Sequence, residues 1–204
     1  MTFSGIIAVA SSYLLGSIPV GLLLVRAITG QDVRQTGSGR TGGTNVLRAA
    51  GLWAALLTVL GDGAKGFLAV WLARTLVGTP VVEAVAGLLA VVGHNYPLST
   101  GFKGGAGTAT TVGAAIGLWP TSGVILIVVC AAVIVGTRYA SLGSITVALL
   151  LPVTLALWAW LANASWAYLI HGVGTSVLTL WALRPNIRRL LRGCERRLTL
   201  GRQT

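Results

Sequence analysis

Two glycine-rich segments combine the residue types that could bind an anion. Residues 35–48 and residues 93–108 both mix glycines with hydroxyl, amide and basic side chains. Each segment precedes an apolar run, so its backbone N–H groups can cluster at a helix N-terminus, where a phosphate is favoured. Arginine adds a planar pair of donors that matches phosphate oxygens. Together the segments predict a site for one or two phosphates, although either one alone is equally well explained as a flexible turn.

Other familiar chemistries are poorly supported by the residue types present. No Gly-Lys-Ser or Gly-Lys-Thr triplet occurs, which argues against nucleotide hydrolysis. His94 and His171 are expected near opposite faces of a membrane and the acidic residues are scattered, so we predict no metal site and no cofactor. Asp32 and Asp62 have no evident link to His94, which disfavours a Ser-His-Asp relay. Chemistry at the glycine-rich segments would therefore need a substrate that is anionic and already activated.

Asp62 and Lys65 are two ionisable residues inside an apolar run. Their i, i+3 spacing places them on one face of a helix. Charged groups at membrane depth are costly unless they pair or face a polar interior. We therefore favour an ion pair that locks helix packing over a role in substrate binding.

The composition identifies the elements that must position these residues as membrane helices. Of 204 residues, 54% are hydrophobic and only 9% are charged, whereas soluble domains contain about 25% charged residues. This composition argues against both a soluble globular enzyme and a disordered chain. The 28 glycines suit closely packed membrane helices. The sequence therefore predicts an all-α integral membrane protein.

Apolar runs separated by glycine, proline or polar breaks predict a bundle of seven transmembrane helices. The first run, residues 3–25, has no basic residue before it, which favours a retained helix over a cleaved signal peptide. The runs 82–92 and 105–118 are short, and half-helices around a re-entrant segment are an alternative for them. The remaining runs are 52–71, 121–135, 145–161 and 166–183.

The basic residues predict the orientation of the bundle. With the N-terminus outside and the C-terminus in the cytoplasm, all 15 lysines and arginines except Lys65 and Arg74 fall on or near the inner side. Membrane orientation thus accounts for most of the formal net charge of +11, and we predict no nucleic-acid partner. In this scheme residues 1–183 form one transmembrane domain, and residues 184–204 form a basic cytoplasmic tail suited to anionic headgroups.

The motifs, taken in chain order, resemble those of the bacterial acyl-phosphate-dependent glycerol-3-phosphate acyltransferases, an integral membrane family. The resemblance covers nearly the whole chain, which makes it far more specific than any single loop. It is carried by Gly16-Ser17-Ile18-Pro19 with Gly21, by Asp32-Val33-Arg34, Gly37-Ser38-Gly39 and Thr44-Asn45-Val46-Leu47-Arg48, by Asp62 with Lys65-Gly66, by Gly93-His94, Pro97 and Phe102-Lys103-Gly104-Gly105, by Arg138-Tyr139 with Ser141 and Ser144, and by Asn186-Ile187, Arg189-Leu190, Gly193 and Glu195.

The resemblance implies a seven-helix fold in the bacterial inner membrane with its site facing the cytoplasm. The implied reaction is attack of the glycerol 3-phosphate 1-hydroxyl on an acyl phosphate, which gives lysophosphatidic acid and phosphate. Acyl phosphate is a mixed anhydride with a good leaving group, so a strong protein base is dispensable. The implied partners are acyl phosphate, glycerol 3-phosphate and membrane lipids. We expect a monomer, although the sequence does not determine the oligomeric state.

The resemblance also assigns roles to individual residues. Ser38, Arg48 and Asn186 are expected to be catalytic. Asp62, Lys65 and Glu195 are expected to be structural, with Arg192 as the partner of Glu195 at i−3. The residues expected to bind substrate or phosphate are Arg40, Thr44, Asn45, His94, Lys103, Gly104, Gly105, Gly107, Ser141 and Ser144.

The chain departs from the family pattern at three positions. Ala106 stands where the second motif normally has lysine, Leu183 where the third has histidine, and Arg40 where the first has asparagine. Arg40 is a candidate to replace the missing lysine charge. Two alternatives to the enzyme remain open at this stage: a catalytically weakened homologue that binds phospholipid headgroups, and a small-anion transporter with its site at broken helices.

Overall fold

The computed structural model describes residues 2–198, which fold into a bundle of eight α-helices. Helices α1 and α2 together make one crossing, so the described residues form the predicted seven helical segments, of which six are long and apolar enough to cross a membrane and α5 is shorter. Arg202, the last arginine of the predicted basic tail, lies outside the described residues. The helices are α1 Phe3–Gly16, α2 Val20–Thr29, α3 Gly43–Leu76, α4 Pro80–Asn95, α5 Thr108–Leu118, α6 Pro120–Thr137, α7 Ala140–Leu161 and α8 Leu169–Leu191.

The first crossing is interrupted between α1 and α2. Pro19 lacks a backbone N–H and cannot continue a helix, so the predicted run 3–25 divides there. At the break, the carbonyl oxygen of Ile18 accepts from the backbone N–H of Val20 at 3.0 Å and from Lys65 Nζ of α3 at 2.9 Å. A charged side chain inside the bundle thus adds a hydrogen bond to the backbone at the break, where lipid could offer none.

Small residues allow α3 to pack closely against its neighbours. This helix contacts α1, α2, α4 and α5. A Cβ atom at Gly113 of α5 would overlap the carbonyl oxygen of Gly63, and one at Gly66 would overlap the carbonyl oxygen of Thr110. The two backbones therefore touch directly, as the glycine content of the chain led us to expect.

The two runs that looked short behave differently in the structure. The run 82–92 belongs to α4, which with the turn Leu98–Thr100 is long enough to span, so its expected shortness is wrong. Polar residues at its end, His94 and Asn95, are buried inside the bundle and hide the true end of the helix. Helix α5 does remain short, at 11 residues. The loop before α5 turns back along the last turn of α4, where Gly104 N donates to Asn95 O and Gly105 N to His94 O, both at 3.1 Å.

Helix α5 nevertheless reaches the far end of the bundle. There, Arg74 pairs with Glu83 at 2.6 Å and also approaches the carbonyl oxygen of Leu118, at 3.4 Å. A stack of Trp119, Trp158 and Tyr168 lies at the same end, with ring centroids 5.0 and 5.1 Å apart. The bundle therefore has two different ends, one closed by this ion pair and stack, and one formed by the glycine-rich loops.

The outer surface of the bundle is apolar and part of its interior is polar. Large side chains such as Val128 and Trp53 are 60% and 79% exposed, whereas His171 is fully buried. This distribution is the reverse of that in a soluble domain, where exposed side chains are mostly polar. The protein is a multi-pass membrane protein.

Candidate active site

Four segments that the sequence singled out meet at the glycine-rich end of the bundle. Arg34 of the first glycine-rich loop donates to the carbonyl oxygen of Thr100 in the second loop, at 3.3 Å. Arg40 donates to Asn186 Oδ1 of α8, also at 3.3 Å. Ser141 of α7 donates to Glu195 at 3.0 Å. These contacts join the two loops, the start of α7 and the end of the chain into one polar surface.

Asn45 holds the first loop in shape. Its side-chain amide nitrogen lies 2.8 Å from the carbonyl oxygens of Val33, Thr36 and Arg40, and its Oδ1 accepts from the backbone N–H of Ser38 at 3.1 Å. The side chain is buried, and both of its polar atoms are engaged by the loop. Asn45 therefore positions the residues around it; direct contact between its side chain and a substrate stays a prediction.

The start of α3 differs from the expected loop. Residues 43–50 are helical and are separated from the rest of α3 by a kink at Gly51, where φ is 83°. The loop predicted over residues 35–48 is therefore wrong beyond Gly42. The sequence concealed this stretch of helix because its apolar face, Val46 with Ala49 and Ala50, is short and directly follows a glycine-rich loop. Its effect is to place Thr44, half-buried, and Arg48, exposed, on a rigid element.

Ser38 and Arg48 lie together beside Gly37. A Cβ atom at Gly37 would be 3.5 Å from Arg48 Nη1, so the guanidinium lies over the loop that carries Ser38. Both residues are exposed, and neither side chain has a hydrogen-bond partner among residues 2–198. The hydroxyl and the guanidinium are therefore available to a ligand.

A cavity of about 330 Å³ opens between the two loops and α8. Its walls include Arg40, Asn95, Lys103, Gly104, Gly105 and Arg184. No carboxylate lines it within the described part of the chain. A cavity lined by three cations and exposed backbone suits an anionic ligand.

Arg40 crosses from the first loop to α8 at the edge of this cavity. Besides Asn186, it donates to the carbonyl oxygen of Ala182. Burial lowers the pKa of the Arg40 guanidinium, Arg189 and Arg184 lower it further, and Glu195 partly opposes them. An arginine keeps its charge in spite of such a shift. The side chain therefore brings a fixed positive charge to the cavity wall.

The second glycine-rich loop is shaped by His94. The ring of His94 lies against Gly105, where a Cβ atom would overlap Nε2. Gly107, with φ 89°, directly precedes α5 and adopts a conformation that few other residues tolerate. Gly104 and Gly105 are therefore required because the end of α4 lies too close for a side chain, and Gly107 because of its backbone conformation. All three lie where the sequence predicted an anion-binding loop.

Asp62, Lys65 and His94 form a buried cluster of ionisable side chains behind this loop. Lys65 Nζ lies 2.9 Å from Asp62 Oδ1, and His94 Nδ1 lies 3.4 Å from the same oxygen. Our expectation that Asp62 has no link to His94 is wrong. The two residues lie far apart in the sequence, and only the packing of α3 against α4 brings them together. The group connects the break after α1 with the second glycine-rich loop.

Glu195 is the centre of the hydrogen bonds at the end of the chain. Its carboxylate accepts from Asn186 Nδ2 and Arg189 Nε, both at 2.7 Å, in addition to Ser141. Our expectation that Arg192 pairs with Glu195 is wrong. Helix α8 ends at Leu191 and the chain turns back at Gly193, so the helical i−3 spacing does not apply to these two residues. Burial raises the pKa of Glu195, but the three hydrogen bonds outweigh it and the pKa is lowered.

Several expected site residues lie away from the cavity or are occupied elsewhere. Ser144 is half-buried and has no hydrogen-bond partner among the described residues. Ser141 and Asn186 are both engaged by Glu195. Helix α8 continues past Leu183, which is 3% exposed, so the division we placed at residue 183 falls inside a helix. No group of three or more His, Cys, Asp or Glu residues within 2–198 could hold a metal ion.

Sequence reasoning missed several residues of the cavity wall, among them Asn95 and Arg184. Asn95 lies within the segment that carries His94, but nothing in that segment marks it as part of a cavity wall. Arg184 was counted as an orientation charge; its guanidinium lies 4.2 Å from the centre of the Trp181 ring, and both residues line the cavity. Three-dimensional packing was needed to identify both.

Comparison with known proteins gives the same picture over nearly the full length of the chain. The family model described as glycerol-3-phosphate acyltransferase matches residues 6–193. A glycerol-3-phosphate acyltransferase of Syntrophomonas wolfei is 44% identical, covering 92% of this chain and 93% of that protein. One from Rubrobacter xylanophilus is 42% identical, covering 94% of each chain.

Solved structures of an integral membrane glycerol 3-phosphate acyltransferase, PlsY, have the same fold. Its glycerol 3-phosphate form is 34% identical with a TM-score of 0.87 and covers 96% of both chains. Its lysophosphatidic acid form is 33% identical with a TM-score of 0.84, covering 97% of this chain and 96% of the other. The resemblance seen in the motifs is thereby confirmed, and the chain belongs to the glycerol-3-phosphate acyltransferase family of integral membrane enzymes.

Proposed function

We propose that this acyltransferase moves an acyl group from acyl phosphate to the 1-hydroxyl of glycerol 3-phosphate, giving lysophosphatidic acid and phosphate. The observation that carries the proposal is the cavity between the glycine-rich loops, which is lined by Arg40, Lys103 and Arg184 without a carboxylate among the described residues. Both proposed substrates are phosphorylated, and a cavity of this charge favours them. Such a reaction is a step of phospholipid biosynthesis.

The proposed donor fits the groups available for catalysis. In the reaction the 1-hydroxyl oxygen bonds to the acyl carbon, the bond from that carbon to the phosphate oxygen breaks, and the hydroxyl proton is taken up by the departing phosphate. Because phosphate is a good leaving group and can accept this proton, no side chain has to act as a strong base. Ser38 and Arg48, both exposed and without partners within residues 2–198, are the groups that would contact the reacting atoms.

Asn186 is the third residue that we assign to catalysis. Its amide nitrogen donates to Glu195 and its oxygen accepts from Arg40, so its orientation is fixed from both sides. Fixed orientation of a polar group at the reaction centre avoids the cost of reorganising it during the reaction. The glycine-rich loop with Lys103 would bind the phosphate of the acceptor, because the loop precedes the N-terminus of α5.

We place this site on the cytoplasmic side of a bacterial inner membrane. The described basic residues lie at the glycine-rich end of the bundle, except Lys65 in the interior and Arg74 at the far end. Lysine and arginine are enriched in cytoplasmic segments next to membrane helices. On this orientation, glycerol 3-phosphate enters from the cytoplasm, and the acyl chain stays in the bilayer.

Purified protein reconstituted in lipid provides the direct test. With acyl phosphate and glycerol 3-phosphate we expect lysophosphatidic acid and phosphate in equal amounts, and little product from an acyl thioester. Ser38→Ala should reduce turnover strongly, whereas Arg26→Ala, which removes an exposed arginine at the same end of the bundle, should not. Turnover only with the thioester would contradict the proposed donor. Binding of glycerol 3-phosphate without turnover would favour the weakened homologue.

A further inference from the structure

The motif Asp32-Val33-Arg34 has no role in the function proposed above. Asp32 caps the short helical turn Val33–Gln35 and accepts from the backbone N–H of Arg34 at 2.9 Å. The same carboxylate accepts from Nε and Nη2 of the Arg34 guanidinium, at 3.0 and 2.6 Å. Two contacts along one side of a planar guanidinium fix its direction. Asp32 therefore determines where the remaining nitrogen, Nη1, lies.

Arg34 Nη1 contacts the second glycine-rich loop. It donates to the carbonyl oxygen of Thr100 at 3.3 Å. Thr100 is buried, and its hydroxyl donates to the carbonyl oxygen of Lys103 at 3.0 Å. A chain of hydrogen bonds thus runs from Asp32 to Lys103, which lines the cavity.

The turn that carries Lys103 has a strained backbone. Gly101 and Phe102 both have positive φ, of 63° and 61°. A bulky residue rarely adopts this conformation, and it persists only where surrounding contacts hold it. Thr100 and Lys103 lie directly before and after this pair, and the hydrogen bonds described above fix both of them.

Arg34 itself is not a residue of the cavity wall. Its charge is paired with Asp32, and the hydrogen bonds from Arg34 lower the pKa of Asp32 to about 2, so the pair stays charged. A guanidinium next to a carboxylate attracts a more distant phosphate only weakly, because the two charges oppose each other. An influence of Arg34 on a ligand would therefore act through Thr100 and Lys103.

We propose that Arg34, oriented by Asp32, is a positioning residue that holds Lys103 in place for the phosphate of the acceptor. The proposal rests on the function proposed above, in which the loop with Lys103 binds that phosphate. Loss of this support should weaken binding of glycerol 3-phosphate without changing the chemical step. KM for glycerol 3-phosphate should therefore rise, while kcat and KM for acyl phosphate stay nearly unchanged.

Steady-state acyl transfer in lipid tests this role with variants that separate position from charge. Arg34→Ala and Arg34→Lys should both raise KM for glycerol 3-phosphate about tenfold, because lysine keeps the charge but lacks the planar fork that contacts Asp32 and Thr100 at once. Asp32→Asn should raise this KM too. If Arg34 acted only as a charge near the phosphate, Asp32→Asn would instead lower it, since a negative charge is removed. Arg26→Ala, which removes an exposed arginine at the same end of the bundle, should leave KM unchanged.

Thr100→Val tests the second step of the chain without altering a charge. Valine has nearly the shape of threonine but lacks the hydroxyl that donates to Lys103, so KM for glycerol 3-phosphate should again rise. Thr29→Val is the matched control. It removes an exposed hydroxyl that also donates to a backbone carbonyl oxygen, that of Val25, and KM should not change.

Labelling of Lys103 gives a measurement that needs no turnover. The chain has two lysines, of which Lys65 is buried and Lys103 is exposed. Glycerol 3-phosphate should protect Lys103 from an amine-reactive reagent, measured by mass spectrometry of the peptide that contains it, whereas glycerol should not. Half-protection should require about tenfold more glycerol 3-phosphate in Arg34→Lys than in the wild type.

The possible outcomes separate this role from the proposed function. A wild-type KM in Arg34→Lys, a lower KM in Asp32→Asn, an equal rise of KM for both substrates, or no protection of Lys103 in an active wild type would overturn the role of Arg34. Arg34→Lys and Asp32→Asn nearly keep the size of the side chain, so they decide the question if Arg34→Ala does not fold. Protection of Lys103 in a wild-type protein that does not acylate glycerol 3-phosphate would contradict the proposed function instead, and the shift in half-protection would still decide the role of Arg34.

Discussion

Changing Arg40 to asparagine should impair acyl transfer, and adding a lysine at position 106 should restore part of it. Arg40 lines the cavity wall with Gly105, the neighbour of Ala106 in the chain. Its guanidinium reaches Asn186 from a loop on the other side of the cavity. Arg40 therefore brings a positive charge to the same cavity as Gly105, the residue before the position where the family pattern has its lysine.

The size of the effect follows from the contacts that are lost. A hydrogen bond to a charged group contributes about 1.5–3 kcal/mol, so Arg40→Asn should lower kcat/KM for glycerol 3-phosphate by about ten- to hundredfold. Ala106→Lys alone should have a small effect, because the cation at Arg40 is still present. Residues that share a ligand couple by about 0.5–3 kcal/mol, so the double variant should recover much of the loss.

Steady-state transfer from acyl phosphate, measured in lipid for the four proteins, decides the question. Arg26→Asn serves as the control for removal of an exposed arginine at the same end of the bundle. Thermal unfolding of each variant is also measured without substrate. A lower unfolding temperature would show that losing the Arg40 contact with Ala182 weakens the fold, whereas an unchanged temperature would assign the lost activity to substrate binding. Strictly additive effects of the two substitutions would refute the idea that Arg40 replaces the missing lysine.

Three further results are expected. Arg48→Lys keeps the charge but loses the planar pair of donors, so kcat/KM should fall by about ten- to hundredfold; a folded Arg48→Ala variant that turns over like wild type would show that Arg48 only sets the orientation of the chain in the membrane. Cys194, exposed at the glycine-rich end, should resist an impermeant thiol reagent in intact cells and react after lysis, and Cys194→Ser should abolish that signal. The carboxylate of Glu195 has a lowered pKa in the folded protein, so it stabilises the fold above the usual value of about 4.3, and this contribution is lost as the pH falls below it. The unfolding temperature of Glu195→Gln should therefore depend less on pH in that acidic range; curves parallel to wild type would contradict the role of Glu195.

The apolar runs of the sequence predicted the seven crossings because hydrophobicity is the main requirement for a membrane helix. The ends of the helices were harder to place. Helix α4 continues through His94 and Asn95, which are polar but buried, so their type suggested a loop. Residues 43–50 form a short helical stretch before the kink at Gly51, and Val46 packs on a core cluster with Ala49 and Ala50. An apolar face this short, next to glycines and polar residues, does not reveal a helix in the sequence.

The site was predictable in its composition and not in its pairings. The glycine-rich loops identified the cavity because their residue types carry the chemistry. The contact of Asp62 with His94, and the choice of Arg189 over Arg192 by Glu195, depend on how distant segments pack. Local spacing rules apply within one helix, and these contacts join residues across helices or beyond the end of one.

On the function proposed above, the charges around the cavity would allow the chain to bind an anion although it lacks two polar residues of its family pattern. Arg40, Lys103 and Arg184 line the cavity, and Glu195 lies behind them, bound to Arg189 and Asn186. The positive charge of the wall is therefore not neutralised by a carboxylate of the described chain facing the cavity. A phosphorylated substrate supplies that negative charge on binding, and desolvation in the cavity strengthens the attraction. We therefore expect the site to require cations near the glycine-rich loop, and we expect an arginine from another loop to meet that requirement as well as a lysine within it.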